Sequence, residues 1–353
     1  MRIADPGRLL GASLLALLAF APAVRAIDVH RPEVRHFIRH MVKQDHIDRQ
    51  WLVKLLRSAQ SQPAIIDAMN RPAEKARLWY EYRQIFITEK RIRDGVDFWV
   101  AHRAELEQAA ARTGVEPEYI VAIIGVETQY GRQTGKYRVL DALATLAFDY
   151  PERAAFFTDE LEQFLLMSRE DRIDPMTATG SYAGAMGAPQ FMPSSYRRFG
   201  VDGDGDGRID LWSDWLDVFT SIGNYFREHG WQTGEPLMLD ADLPLPLAPP
   251  GEGRRFSLDS TVGSLRAAGL ELAPDAAEDT PAGLIAVDRP DGTIWRVGLR
   301  NFHVITRYNR SSLYAMAAAE LAAAVRQHLG SERLPVADAI CGAHVIEWPG
   351  AQP

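Results

Sequence analysis

TGVEPEYIVAIIGVETQYG, residues 113–131, decides how this chain is read. Pro117 stands where a first helical turn tolerates proline, and Gly131 where a helix stops. Between them, Ile120, Ile123 and Ile124 lie seven, four and three residues before Glu127. Those offsets place four side chains on one helical face. The spacing predicts a helix with a carboxyl group on an otherwise apolar stripe. Burial there disfavours the carboxylate and raises its pKa. Such a group holds a proton near neutral pH until a leaving oxygen takes it. A second reading stays open on these residues alone: Glu127 caps, or pairs with an arginine such as Arg132, at the edge of the core. Gly125 and Gly131 leave room for a bulky ligand or a close backbone approach.

Outward from this helix the same period recurs. Residues 31–58 read as helices, with Val34, Phe37, Ile38 and Met41 on one face. Residues 72–112 are helical and rich in aromatics; Trp79, Tyr80, Tyr82 and Trp99 suit core packing or sugar stacking. Residues 139–170 continue helical, 177–200 turn to Gly, Ser and Pro and read as loop, and 214–229 form a further helix. After Gly234 the texture changes. Residues 235–300 hold many Pro, Gly and Asp, with runs RRFSL, GLIAV and TIWRVGL that read as strands and one helix near 260–268. Helical character returns in SSLYAMAAAELAAAVRQHL, 311–329. The fold class is mainly α with a small β-rich domain. The expected division is a signal at 1–26, a helical extension at 27–112 and a core at 113–234. A β-rich unit at 235–300, a return to the helical body at 301–330 and a tail at 331–353 follow.

Arg2 and Arg8 precede the apolar run LLGASLLALLAFA, and VRA follows at 24–26. This basic, apolar, small-residue layout predicts a cleaved export signal, and the run is short for a membrane span. Losing Arg2, Asp5, Arg8 and Arg25 takes 47 acidic and 39 basic residues to 46 and 36, a net charge near minus ten. Such a surface does not favour nucleic acid or acidic lipid. Cys341 is the single cysteine, so an internal disulfide is excluded and the exported chain relies on its core.

Several longer motifs stand in a fixed order. Residues 124–150 read IGVETQYGRQTGKYRVLDALATLAFDY, and 181–195 read SYAGAMGAPQFMPSS. Residues 223–231 read GNYFREHGW, and 302–311 read FHVITRYNRS. Upstream, 71–99 read RPAEKARLWYEYRQIFITEKRIRDGVDFW. Together these closely resemble the membrane-bound lytic murein transglycosylase B family, over roughly residues 30–328. The resemblance implies a lysozyme-like helical catalytic core, a helical extension and a small β domain. It also implies cleavage of the bond between N-acetylmuramic acid and N-acetylglucosamine in peptidoglycan, leaving a 1,6-anhydromuramoyl end. Glu127 matches the catalytic acid and base of that family. Ser181 and Gln190 match groups lining the saccharide cleft, and Tyr225 a tyrosine beside the reacting sugar. Tyr308 and Asn309 match residues of the chain's later return, with Met186 and Phe191 as apolar walls. Asp141, Asp149 and Asp174 lie in or near these motifs, but spacing does not say which faces the cleft, Asp141 suits a cap of the following helix as well, and none of the three is placed in the catalytic set. No cofactor is expected for the chemistry. The expected partners are glycan strands, with wall-synthesis proteins as further candidates, for a monomer soluble in the periplasm.

DGDGDGRIDLWS, residues 202–213, is a separate signal. Asp202, Asp204 and Asp206 stand at positions one, three and five of an EF-hand-like loop, with Gly207 at six, the Arg208 carbonyl at seven and Asp210 at nine. Ser213 replaces the usual glutamate at twelve, and Asp214 is the expected substitute through a small insertion. The resembled family also has a metal loop here, so structural Ca2+ is expected. The nine histidines form no metal signature, His36 and His40 included, and neither a GxSxG elbow nor a phosphate loop is present. Two other functions remain open on sequence: a lysozyme-type hydrolase giving reducing ends, and a non-catalytic wall-binding protein.

Overall fold

A computed structural model of the chain describes residues 25–71, 78–241, 255–272, 276–290 and 292–332. The apolar run of the export signal and the tail with Cys341 lie outside these residues. The chain starts with β1 (Arg25–Ala26), α1 (Pro32–Gln44), α2 (Arg49–Ser58), β2 (Gln60–Ser61), α3 (Pro63–Asn70) and α4 (Trp79–Phe86). β1 and β2 pair antiparallel. Val34, Phe37, Ile38 and Met41 are the buried face of α1, as the period requires. The Asp48 carboxylate caps α2, accepting from Trp51 N–H at 2.7 Å.

The middle of the chain is α5 (Glu89–Ala101), α6 (Arg103–Thr113), α7 (Pro117–Thr128), β3 (Tyr137–Arg138), α8 (Val139–Asp149), α9 (Ala154–Glu170), β4 (Thr179–Gly180), α10 (Pro193–Phe199) and α11 (Trp215–Glu228). Residues 139–148 of α8 are all buried, so this helix is core on every side. α7 is nearly as enclosed, and α5, α6 and α11 pack against it. The chain between 177 and 200 is not all loop: Pro193, at a first-turn position, starts the seven-residue α10.

The β-rich unit comprises β5 (Met238–Ala241), β6 (Ser260–Thr261), α12 (Val262–Ala267), β7 (Pro281–Arg289) and β8 (Gly292–Gly298). The sheet order is β5-β8-β7-β6, with every pair antiparallel. GLIAV and TIWRVGL become β7 and β8. RRFSL does not become a strand over its described part; Phe256 instead packs edge-on to Phe302, ring centres 4.9 Å apart. Val262, Leu265, Leu270, Ala282, Val297 and Leu299 form a small core of their own. Ile285 and Val287 join the large core that runs through the helical body. The chain then forms α13 (Arg300–Tyr308) and α14 (Ser312–Glu332). Helix therefore resumes at Arg300, earlier than the apolar run at 311 suggests. α14 lies along α7, with Tyr314 beside Glu127 and Arg326 bonded to Glu118 at 2.9 Å, so the two run antiparallel.

Candidate active site

Glu127 sits in the last turn of α7, half-buried. The three residues after Thr128 all take left-handed backbone: Gln129 at φ 50°, Tyr130 at 61° and Gly131 at 78°. Only the last is a glycine, so two residues of this turn are strained. The strain is held by a clamp. Thr128 Oγ1 donates to Ala188 O at 2.9 Å and accepts from Gly131 N–H at 3.1 Å. Tyr130 OH donates to Arg91 O at 2.8 Å, and Arg91 Nη1 donates to Gly125 O at 2.9 Å. The room left by the two glycines is filled by the chain's own rings, not by space for a ligand. A Cβ on Gly125 would meet the Tyr130 ring at 2.8 Å, and one on Gly131 would meet Trp215 at 2.6 Å. Arg132 pairs with Asp94.

Tyrosines gather around the carboxyl group from distant parts of the chain. Tyr314 OH donates to Glu127 Oε1 at 2.6 Å. Burial, and then the Glu127 charge, push the Tyr314 and Tyr308 phenols well above 10. Burial pushes the Tyr225 phenol up to about 12. All three stay protonated at neutral pH and act as donors. Tyr308 OH donates to Pro189 O at 2.5 Å, and Tyr225 OH to Arg307 O at 2.6 Å. The rings of Tyr225 and Tyr308 meet edge-on, centres 4.9 Å apart.

The loop 181–191 is fixed to this group from both sides, by Thr128 at one carbonyl and Tyr308 at the next. Ser181 Oγ accepts from Ala185 N–H at 3.0 Å and shapes the turn. Gln190, at φ 53°, donates through Nε2 to Thr134 O at 3.0 Å and Gly187 O at 2.9 Å. Asn309 is exposed at the end of α13, and its Oδ1 accepts from Ser311 N–H. Met186 and Phe191 are 0% and 2% exposed, so they pack beneath this group and are not exposed as apolar walls. Phe191 backs both Tyr225 and Tyr308, ring centres 5.7 and 5.8 Å away.

The three aspartates considered as second carboxylates all have structural partners. Asp141 accepts from Gln60 N–H at 2.8 Å and pairs with Arg138. Asp149 binds Arg31 and Ser61, and Asp174 accepts from Met176 N–H. Trp79, Tyr82 and Trp99 are core residues, 4%, 1% and 5% exposed. Two contributors were not singled out in the sequence. Tyr314 is one, hidden in an alanine-rich helix where a tyrosine reads as packing. Asp217 is the other, and it belongs to the acidic loop.

In that loop the carboxylates of Asp202, Asp204 and Asp217 bring oxygens within 4.8 Å of one another. Asp202 is oriented by N–H groups of Gly205, Asp206 and Gly207. Asp206 accepts from Arg208 N–H, and Asp210 from Trp212 and Ser213. Asp214 does not join the cluster: its carboxylate caps α11, accepting from Leu216 and Asp217 N–H. Asp217 is 2% exposed, and burial pushes its carboxyl up to about 6. An all-oxygen set with a buried acid fits a hard cation such as calcium. His40 is exposed and lies with Asp45 and Glu162 in a second group of possible ligand atoms.

A helix-borne glutamate held by a phenol, under tyrosines drawn from later helices of a mainly helical fold, is an arrangement suited to proton transfer by one carboxyl group. The transglycosylase SLT domain model matches residues 30–323. The chain is 42% identical over 305 residues to the membrane-bound lytic murein transglycosylase B of Escherichia coli strain K12, covering 84% of this chain and 83% of that one. It superposes with a TM-score of 0.79, at 46% identity, on the soluble lytic transglycosylase SltB1 from Pseudomonas aeruginosa, covering 85% of this chain and 100% of the other. An Escherichia coli lytic transglycosylase solved in complex with calcium matches with a TM-score of 0.78 at 40% identity, over 87% of this chain and 97% of that one. The chain belongs to the lytic transglycosylase family.

Proposed function

We propose that this chain cleaves the β-1,4 bond between N-acetylmuramic acid and N-acetylglucosamine in peptidoglycan, without water, leaving a 1,6-anhydromuramoyl end. The hydrogen bond from Tyr314 to Glu127 Oε1 carries this reading, because it fixes one carboxyl group among donors that stay protonated. Glu127 delivers its proton to the glycosidic oxygen as the bond to C1 breaks. The oxocarbenium-like centre draws on the N-acetyl group of the same sugar. The Glu127 carboxylate then takes the proton of the C6 hydroxyl, whose oxygen closes on C1. That attack is intramolecular and holds an entropic advantage over water. One carboxyl group serves both steps, whereas hydrolysing glycosidases use two. Ser181, Gln190, Tyr225, Tyr308 and Asn309 are the proposed cleft residues, with Tyr314 added to them.

The acidic loop binds calcium through Asp202, Asp204 and Asp217 in this proposal. The cation neutralises a buried acid at the start of α11, the helix that carries Tyr225. It stiffens the cleft and takes no part in the reaction. Among the described residues no helix is long and apolar enough to cross a membrane. A periplasmic site of action after signal cleavage, and the division at residues 112, 234 and 300, belong to the same proposal. Mass analysis of digested peptidoglycan tests the chemistry. Anhydro ends are one water lighter than hydrolysed ends, and reducing ends alone would identify a hydrolase instead.

A further inference from the structure

His40 stands in the last turns of α1, Asp45 caps that helix and Glu162 belongs to α9. Together they bring one imidazole nitrogen and two carboxylate oxygens within 4.8 Å of one another. None of the three belongs to the cleft or to the acidic loop. His40 Nε2 lies 3.1 Å from Glu162 Oε2. That separation suits a hydrogen bond and two ligands of one ion equally well, because tetrahedral bonds of about 2 Å set neighbouring ligand atoms roughly 3.3 Å apart.

Asp45 decides between the two. Its Oδ2 is closed off from solvent and has no hydrogen-bond partner among the described residues. Arg169 does not serve it: the guanidinium donates to the Asp45 backbone carbonyl, at 3.0 Å. Among the described residues no lysine or arginine forms an ion pair with either carboxylate. A buried carboxylate oxygen without a donor is costly. Two carboxylates side by side also repel, and a cation between them turns repulsion into attraction. The imidazole selects the kind of cation. Calcium and magnesium take oxygen ligands, whereas one nitrogen with two carboxylate oxygens suits zinc. His40 is exposed, which leaves one side of the group open for entry and for water as a further ligand.

We propose that His40, Asp45 and Glu162 bind Zn2+, which clamps α1 to α9. Glu160, two residues before Glu162 on the same helix, accepts from Ser194 N–H at 2.9 Å and from Ser194 Oγ at 2.7 Å, at the start of α10. The ion therefore ties the N-terminal helix to the helix that seats α10, and takes no part in bond cleavage. The proposal stands apart from the activity proposed above. Sequence spacing hides the group, because two ligands lie at the end of one helix and the third lies on another.

The test titrates the full-length protein with Zn2+ alone, in excess calcium so that the acidic loop is occupied. The wild type binds zinc, and zinc raises its melting temperature. His40→Ala and Asp45→Asn each weaken binding by about tenfold or more and abolish the thermal shift. His36→Ala, which removes an exposed histidine one turn earlier on α1, changes neither. Co2+ in place of zinc gives visible absorption bands that His40→Ala removes. His40 is exposed, so His40→Ala folds and decides the matter even where Asp45→Asn does not. Absence of zinc binding by the wild type overturns the proposal. So does binding that persists undiminished in His40→Ala, or binding that Asp202→Asn in the acidic loop abolishes.

Discussion

Glu127 holds one oxygen against the Tyr314 phenol, and every step proposed for the reaction passes through that carboxyl group. Glu127→Gln keeps the shape and removes the proton. Its melting temperature should match the wild type while turnover falls by about a thousandfold or more. Tyr314→Phe removes the hydrogen bond to the Glu127 carboxyl group, which is ionised once its proton has been given up, and keeps the buried ring. It should lower kcat by about ten- to a hundredfold with KM little changed, since such a bond is worth about 1.5–3 kcal/mol. A Phe variant at full speed would show that Tyr314 only packs. The two residues differ in how far sequence exposes them. A glutamate at the end of an isoleucine stripe breaks the pattern around it. Tyr314, 3% exposed among alanines, obeys its pattern and gives no local sign that its hydroxyl has a task.

At the scale of elements, the end of α7 is where packing and strain meet. Gly125→Ala drives a Cβ to 2.8 Å from the Tyr130 ring. Displacing that ring strains the turn, and a loss of about 1–3 kcal/mol is expected in denaturant unfolding. The start of α11 responds to pH. Asp217 has its folded pKa raised to about 6 from 3.8, so its neutral form favours the folded state. That stability is present below the unfolded value and is lost as pH rises through about 6. In chelator the melting temperature of the wild type, relative to Asp217→Asn, should fall between pH 4 and 6. Bound calcium favours the ionised form, so added calcium should raise the melting temperature more above pH 6 than at pH 4. Equal curves with calcium and chelator would remove the cation from the account. Period made α1 legible and Pro117 with the isoleucine stripe made α7 so, whereas α8 is mostly apolar on every side and reads as helix without a face. α10 was not legible, because its seven residues follow a Gly- and Pro-rich stretch and carry no apolar period. α13 falls within the expected return to the helical body at 301–330, although the sequence places the helical run itself only at 311–329. Asp217 escaped for another reason: it lies past the twelve-residue loop, in the first turn of the following helix.

Across the described residues one large hydrophobic core runs from Ile27 to Leu329, and the β-rich unit adds a small second one. Buried polar links join the N-terminal helices to the catalytic body. Asp141 holds the Gln60 amide and Arg138, and is 6% exposed. Asp141→Ala leaves that arginine with the Ser58 carbonyl but no carboxylate, and should cost about 3 kcal/mol. The shared core predicts that this loss appears as a lower melting temperature of the main transition, not as selective release of the N-terminal helices. Limited proteolysis along the thermal curve distinguishes the two.

Tyr314 and Glu127 are 187 residues apart in sequence. The order of synthesis therefore matters to the cell that makes this enzyme. A chain emerging from its amino end presents Glu127, the proposed acid, long before α14 arrives to hold it. Proteins fold by parts as they are made, and here the part that finishes the site comes late. On the proposed mechanism cutting power is tied to completion of the polypeptide, and a product stalled before α14 carries Glu127 but not the hydrogen bond that holds it.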